Sequence, residues 1–333
     1  MAAQGELLSI VIPMFNARDV IGATLDSIAR QKDVEAEIIV VDDVSTDGSA
    51  EAVRDWHKSR PALPLRIIEQ PQRGRTLKAR LAGARAARGA DIMFVDADDR
   101  LIGERALARV LAAKRRGGFD IAHFRSQFHK DYTGEASWNA PMGEAPLSGA
   151  AIFSAYAGMS FPPVLVWGKV YSTPLLRQVA PLAEQLSIFR LEDVFLCSLL
   201  MLFARSYLPV NEYAYLYMVG DNWPPEKFAG RVHDLHAMRP FFTALLEERG
   251  VAPEDAQHFM AFLEKRLAFN MNGLCEAMTD ELERKVAPGE LLARLEPYLA
   301  GVPLVSLLCP VLARTAAKTG RVAQRIEDGT ARG

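Results

Sequence analysis

Carboxylates gather at three points along this chain, each where an apolar run meets a loop. Asp42 and Asp43 close the run 37–41, Asp96, Asp98 and Asp99 follow 92–95, and Glu192 and Asp193 open the apolar stretch 194–204. Three carboxylates within four residues repel one another unless positive charge neutralises them. Hard divalent cations take oxygen ligands and leave room for substrate phosphates, so the 96–99 cluster suits Mg2+ or Mn2+ carrying a diphosphate. A further carboxylate within hydrogen-bond reach of a hydroxyl suits a general base. Each cluster alone also reads as loop chemistry, in which Asp and Ser cap helices and Gly48 eases a turn. Taken in order, the three point to an enzyme.

The elements that must position these residues alternate. The β-branched-rich runs 7–12, closed by Pro13, and 37–41, closed by Asp42, flank a segment over 19–31 with apolar residues at helical spacing. Strand, helix, strand in this order is a crossover unit, which implies a parallel sheet covered by helices. Helix 47–58, strand 65–68, helix 78–88, strand 92–95, helix 102–116 stopped by Gly117-Gly118, and strand 120–124 continue it. Residues 1–125 are therefore expected to form a doubly wound α/β core, whose ligands bind beyond the carboxyl ends of the strands. Residues 126–163, with Trp138, Pro141, Gly143, Pro146 and Gly149, read as a long loop or small hairpin region. Regular patterning returns over 164–171, after Glu192-Asp193 and over 212–219, with a boundary expected at 221–225. Helices over 228–249, 253–278 and 288–299 follow. Domain organisation is thus 1–222, divided into a nucleotide-binding half 1–125 and an acceptor half 126–222, with a helical region over 223–333.

Composition narrows the class. With 333 residues, half of them hydrophobic, the chain has ample material for a large core. Its 39 Lys and Arg against 41 Asp and Glu leave no electrostatic footprint of a nucleic-acid binder. Cys197, Cys275 and Cys309 lie far apart without metal-ligand spacing, so reduced, buried thiols are expected. No basic segment precedes 7–12 and no small-residue cleavage site follows it, which argues against a signal peptide. The stretches 194–204 and 302–313 fall short of the ~20 residues that span a bilayer. A cytoplasmic setting is expected, at the inner face of the membrane if the C-terminal region attaches there. Residues 303–311, followed by Arg314, Lys318, Arg321 and Arg325 at helical spacing, read either as a membrane-surface segment or as a helix packed on its own domain. His233 and His236 sit three apart and are read as polar positions of a surface helix before a metal pair.

In motif terms the chain resembles glycosyltransferase family 2 of the bacterial surface-polysaccharide type, with its GT-A fold; the resemblance fades beyond Val219, before the helical C-terminal region. Ser9 through Asn16 resembles that family's first strand with its Pro-aromatic-Asn ending. Val41 through Ser49 resembles the nucleotide-binding loop, and Phe94 through Asp99 the DxD motif. Ala79-Arg80-Leu81-Ala82-Gly83, Val166 through Tyr171 and Leu191 through Phe195 resemble three further segments, the last carrying the catalytic base. Val44 stands where the family usually has Gly, Leu81 where it has Asn.

The resemblance implies roles. Pro13 and Asn16 shape the donor pocket, and Asp43 or its neighbour Asp42 accepts a hydrogen bond from the nucleobase. Arg80, with Arg73 or Arg75, meets the diphosphate. Asp96 lies near ribose and metal, and Asp98 ligates the metal, Mg2+ or Mn2+. Asp193, beside Glu192, is the base; as residues alone, both also suit the start of a helix. Trp167 and Lys169 line the acceptor cleft, although an apolar run around Trp167 suits a core equally. The implied reaction is inverting transfer of a sugar from a nucleoside-diphosphate donor, UDP-linked for preference, to a hydroxyl of a glycan or lipid-linked glycan. The rivals are a nucleotidyltransferase, which needs a Gly-rich basic loop that Pro13 through Asn16 does not supply, and a non-catalytic nucleotide- or glycan-binding member.

Overall fold

The computed structural model of the chain describes residues 7–129, 139–218, 224–284, 286 and 288–299. Two compact units emerge: Met1–Ser187 with Glu192–Gly220, and Ile188–Leu191 with Asp221–Gly333. The expected boundary at 221–225 falls partly, and the segment 303–325 with Cys309 wholly, outside the described residues.

The first unit is built on nine strands: β1 (Leu8–Met14), β2 (Ala36–Asp42), β3 (Leu65–Glu69), β4 (Asp91–Phe94), β5 (Arg100–Leu101), β6 (Ile121–Phe128), β7 (Leu147–Ser148), β8 (Lys169–Ser172) and β9 (Ser206–Tyr217). They hydrogen-bond in the order β3-β2-β1-β4-β8-β6-β9-β5, with β7 added on β9. From β3 to β4 every pair is parallel, and β8 enters antiparallel between β4 and β6. Parallel strands need crossovers, supplied by α1 (Ile21–Ala29), α2 (Ser49–Lys58) and α3 (Arg75–Ala86). The doubly wound α/β architecture is as expected. Register places Met14 beside Asp42 and Val11 beside Phe94, so the loops after β1, β2 and β4 leave the sheet at one edge.

Packing follows from the sequence. The runs Leu8–Met14 and Ala36–Asp42 are almost wholly buried, as strands covered on both faces must be. α3 lies hard against β1: a Cβ on Gly83 would stand 2.3 Å from Val11 Cγ1 and 3.2 Å from a Val41 methyl. Gly83 is thus a close-approach position, and Arg80 stands one turn before it.

The remaining helices of this unit are α4 (Ala106–Gly117), α5 (Ala150–Ala157), α6 (Thr173–Ala183) and α7 (Glu192–Phe203). Three expectations differ in detail. The helix read from 102 starts at Ala106, because Arg100–Leu101 pair with β9 as the short strand β5. The regular patterning over 164–171 becomes a strand only at Lys169–Ser172, with residues 163–168 a loop tied to α7. The region 126–163 contains β7 and α5, and Trp138 is outside the described residues. The second unit carries α8 (Pro225–Glu248), α9 (Pro253–Glu283) and α10 (Pro288–Leu299), joined by a small core of Val232, Leu274, Met278, Leu291 and Leu295. Arg294 ties it further, donating to Glu226 at 2.5 Å and to Glu281 at 2.9 Å. Among the described residues no helix is long and apolar enough to cross a membrane.

Overpacking a filled contact costs about 1–3 kcal/mol. Gly83→Ala is therefore expected to lower stability by about 2 kcal/mol, read as a lower denaturant midpoint with an unchanged slope, whereas Gly22→Ala, which meets nothing within 4 Å, should not.

Candidate active site

One arginine joins two of the three acidic clusters. Arg80 projects from the buried face of α3 and is 1% exposed. Its Nη2 donates to Asp96 Oδ1 at 2.7 Å and its Nη1 to Asp193 Oδ1 at 2.6 Å, with Glu192 Oε1 3.7 Å from Nη1. The guanidinium fork suits this bridging, since two charged ends point at separate carboxylates in a fixed geometry. Three carboxylates around one cation leave the cluster negative. Burial pushes Glu192 up to about 7, with repulsion from Asp193 adding and Arg80 opposing. Burial also raises Asp193, with Arg80 pulling back and Asp96 adding to the rise. Arg80 was expected to meet the diphosphate; in this structure its two terminal nitrogens donate to carboxylates.

The loop 96–99 is built from below. Asp99 is fully buried and its carboxylate accepts from Tyr215 Oη at 2.6 Å and from the Met218 N–H at 2.8 Å. The same Tyr215 oxygen accepts the Asp96 N–H at 3.2 Å. Burial, and then the charge of Asp96, pushes Asp99 up to about 8. Thr24 Oγ1 donates to the Ala97 carbonyl and Ser27 Oγ accepts the Leu101 N–H, so α1 holds the loop from the other side. Asp98 differs: it is exposed and its carboxylate has no hydrogen bond to the side chain or backbone of any other described residue. Local desolvation and the neighbouring Asp96 still hold its carboxyl above the ordinary range.

Asp98 and the free oxygen of Asp96 are hard donors beside excess negative charge, which fits a divalent cation. No set of three or more metal-ligating side chains is assembled among the described residues. A cation here would complete its shell from phosphate and water, as Mg2+ does.

The loops after β1 and β2 are sewn together. The Asp43 N–H donates to the Met14 carbonyl, the Asn16 N–H to Ser45 Oγ, the Thr46 N–H to Asn16 Oδ1 and the Ala17 N–H to Ser49 Oγ. Asp42 is buried and accepts from Ser45, both its N–H and its hydroxyl. Asp43 is buried and accepts from Gln70 Nε2 at 3.0 Å, the Gly74 N–H at 2.6 Å and the Arg75 N–H at 2.7 Å, which fastens the loop ahead of α3. Pro13 lies buried within β1, opposite Val41. Arg73 stacks 3.8 Å from the centre of the Phe15 ring. Three non-glycine residues here take left-handed backbone angles: Asn16 (φ 49°), Val44 (φ 66°) and Arg75 (φ 65°). Asn tolerates this conformation; a β-branched residue pays about 1–2 kcal/mol for it.

Trp167 and Lys169, expected to line the acceptor cleft, are both buried. Trp167 is 1% exposed, sandwiched between Tyr215 and Tyr217 with both ring centroids at 4.9 Å. It supports Tyr215 and through it the 96–99 loop. Lys169 is fully buried, donating to Asn139 Oδ1 at 3.2 Å and to the Leu165 carbonyl at 2.5 Å, and burial lowers it to about 8. Its apolar flanks bury it; the loop before β8 supplies one acceptor, the Leu165 carbonyl, and Asn139 supplies the other. Gly168 between them has φ 74°, a conformation open to Gly or Asn.

The structure thus brings Asp96, Arg80, Glu192 and Asp193 together, puts Asp98 on the same loop, and sets Asn16, Asp42 and Asp43 at the ends of the adjoining parallel strands. Tyr215 was absent from the expected site. Its one signal was the alternation Tyr213, Tyr215, Tyr217; a register irregularity in β9 breaks it, so that Tyr213 is exposed while Tyr215 is buried. His233 lies edge-on to Phe189, with ring centroids 4.7 Å apart.

Residues 9–164 match the family model described as Glycosyl transferase family 2. The glycosyltransferase EpsJ of Bacillus subtilis is 43% identical over 93 residues, 28% of this chain and 26% of that protein. A poly(ribitol-phosphate) beta-glucosyltransferase of Bacillus spizizenii is 38% identical over 116 residues, 34% of this chain and 18% of that protein. The chain therefore matches well under two thirds of either relative. In fold it is similar to TarS 1–349 of S. aureus in complex with UDP-GlcNAc, with TM-score 0.55 and 22% identity over 89% of this chain and 81% of that one. It is also similar to the mannosyltransferase PcManGT of Pyrobaculum calidifontis in complex with GDP-Man and Mn2+, with TM-score 0.56 and 17% identity over 96% and 89%.

Removing the central cation should expose the clustered charge. Arg80→Met is expected to cost about 3–5 kcal/mol at pH 8, the range for a buried charge left unpaired, and less at pH 5. The sign follows from Glu192: an acid whose pKa is higher folded than unfolded favours the folded chain below its ordinary 4.5, and that advantage is lost as pH rises to about 7. Urea titrations at both pH values measure the difference. Val44→Gly, by contrast, is expected to raise stability by about 0.5–1 kcal/mol, the left-handed penalty less glycine's entropic cost.

Proposed function

We propose that this chain, whose N-terminal unit is a glycosyltransferase family 2 domain with the GT-A fold, moves a sugar from a nucleoside-diphosphate donor to a hydroxyl acceptor with inversion. One observation carries the reading: a single buried arginine links the exposed acidic loop suited to a diphosphate with the Glu192-Asp193 pair suited to base chemistry. Donor and base functions then lie within one side chain of each other.

In this reading the nucleobase meets the sewn loops at Asn16, Asp42 and Asp43, and Asp98 with Asp96 would hold Mg2+ or Mn2+ on the donor side. A bound cation supplies Lewis-acid stabilisation of charge on the leaving oxygen. Asp193 accepts the proton of the acceptor hydroxyl as its oxygen attacks the anomeric carbon from the face opposite the departing phosphate. The carbon–phosphate oxygen bond breaks, its electrons leave with the nucleoside diphosphate, and the configuration inverts. Proton transfer of this kind contributes about 10²–10⁴-fold. Arg80 opposes the upward push of burial on Asp193 and directs its carboxylate. Trp167 and Lys169 act from within, the first under the acidic loop and the second behind the loop 163–168. A UDP-linked donor is preferred, in line with the UDP-GlcNAc complex of TarS, although the GDP-Man complex keeps other bases in the test. A glycan, lipid-linked glycan or polyol-phosphate polymer is the acceptor class, supported by the poly(ribitol-phosphate) relative.

A panel of UDP-sugars and GDP-mannose, each with and without Mn2+, should yield one cation-dependent rise in melting temperature, since a ligand at 100 times its Kd stabilises by about 2.7 kcal/mol. Asp98→Asn is expected to abolish that rise. Asp193→Asn should keep the rise and lose at least about 10²-fold in transfer; near-normal transfer by that variant would overturn the base assignment.

A further inference from the structure

Asp234 is a fully buried carboxylate in the second unit with an unusual set of partners. Its two oxygens accept three consecutive peptide N–H groups, from Phe189 at 2.9 Å, Arg190 at 2.6 Å and Leu191 at 2.9 Å. The next residue along the chain is Glu192, the first of α7, and Asp193 follows. Burying a carboxylate is costly unless charge-assisted hydrogen bonds replace its water. Here backbone donors replace it, and what they gain is a fixed backbone at one place.

The same face of α8 grips that place in two further ways. Gly230, one turn before Asp234, lets Arg190 lie close: a Cβ there would stand 2.8 Å from Arg190 Cγ. Phe189 is held edge-on between His233 at 4.7 Å and Tyr298 at 5.5 Å, centroid to centroid. Residues 230, 233 and 234 lie at helical spacing on one face, so a ring, a side-chain stem and three N–H groups are all fixed by one stretch of helix.

We propose that Asp234 is a positioning residue for the base pair Glu192-Asp193: by clamping the peptide groups of 189–191 it sets where α7 begins and so where both carboxylates point. This rests on the proposed role of Asp193. A misplacement of about 1 Å at a reacting group can cost about 10²-fold, and a three-residue turn released from its clamp permits such a shift.

The whole chain is compared as wild type, Asp234→Ala, Asp234→Asn and Phe242→Ala, the last removing a ring packed at 4.9 Å on Phe259 about two turns along α8 from Asp234. Nucleoside-diphosphate release from the sugar-nucleotide panel gives kcat, KM and the pH profile, and hydrogen exchange reports on 189–195. Asp234→Ala should lose about 10²-fold in kcat with donor KM within about twofold, shift the acidic limb of the kcat profile, and exchange faster at 189–195. Asp234→Asn, which retains one acceptor oxygen, should fall between, and it carries the test if the alanine variant does not fold. Phe242→Ala should lose stability while keeping kcat and exchange at 189–195. Unchanged exchange at 189–195 in folded Asp234 variants, or a kcat loss no greater than that of Phe242→Ala, overturns the proposal. Should Asp193→Asn retain transfer, the base assignment fails on its own, and faster exchange in the Asp234 variants would still locate the clamp without giving it a catalytic purpose.

Discussion

Two charge-assisted hydrogen bonds from Arg80 organise the rest of the site. A guanidinium buried to 1% exposure is tolerable only when its charge is matched, and Asp96 and Asp193 match it from opposite sides. The match constrains the fold in turn. α3 must lie close enough on β1 for Arg80 to reach both carboxylates, which Gly83 permits by presenting no Cβ to Val11. The loop after β4 must hold Asp96 at one height, which Tyr215 secures by accepting its N–H while donating to Asp99. α7 must start at Glu192. Each requirement is met by a different element, and Arg80 is where they meet.

The acidic loop shows how a protein keeps some carboxylates quiet and leaves one available. Asp99 is enclosed and hydrogen-bonded, and Asp96 is partly neutralised by Arg80. Asp98 stands exposed with its charge uncompensated by described side chains. Adjacent positions on one turn therefore have three different environments, set by a phenol, a guanidinium and solvent. The aromatic stack of Tyr215, Trp167 and Tyr217 gives this turn a rigid floor, since flat rings fill space while losing few rotamers. On the other side of the crevice, left-handed angles at Asn16, Val44 and Arg75 accompany the network that joins the loops after β1 and β2 to the turn before α3. Strain at Val44 is tolerated because its neighbours Asp43 and Ser45 are both hydrogen-bonded in place.

Much of this was legible in the chain itself. The runs that became β1 to β4, with helices between them, show the periodicities of strand and helix plainly, and parallel crossovers follow from that order. Asp42, Asp43, Asp96 and Asp98 could be placed at strand ends because an apolar run stops at each. Less legible were β5 and β7, two residues each, which carry too few positions for any period. Trp167 was ambiguous by nature, since an indole serves a sugar cleft and a core equally well until its neighbours are known. Asp234 and Tyr215 gave almost no signal, one being an isolated acid in a helix and the other a tyrosine in an alternating strand. Asp234 lies 43 positions from Leu191, and Tyr215 lies 119 from Asp96, so no local pattern could pair them.

By itself the sequence determined the α/β alternation, the end of the sheet at which the acidic clusters gather, and the residues with chemistry to offer there, because strand and helix periods and strand-end carboxylates are local properties. Only the tertiary structure decided which of those residues act together. Arg80 and Asp193 are 113 positions apart, and whether a buried guanidinium turns toward phosphate or toward carboxylates depends on packing between α3 and the sheet. Spacing along a chain carries no information about that distance; the folded backbone does.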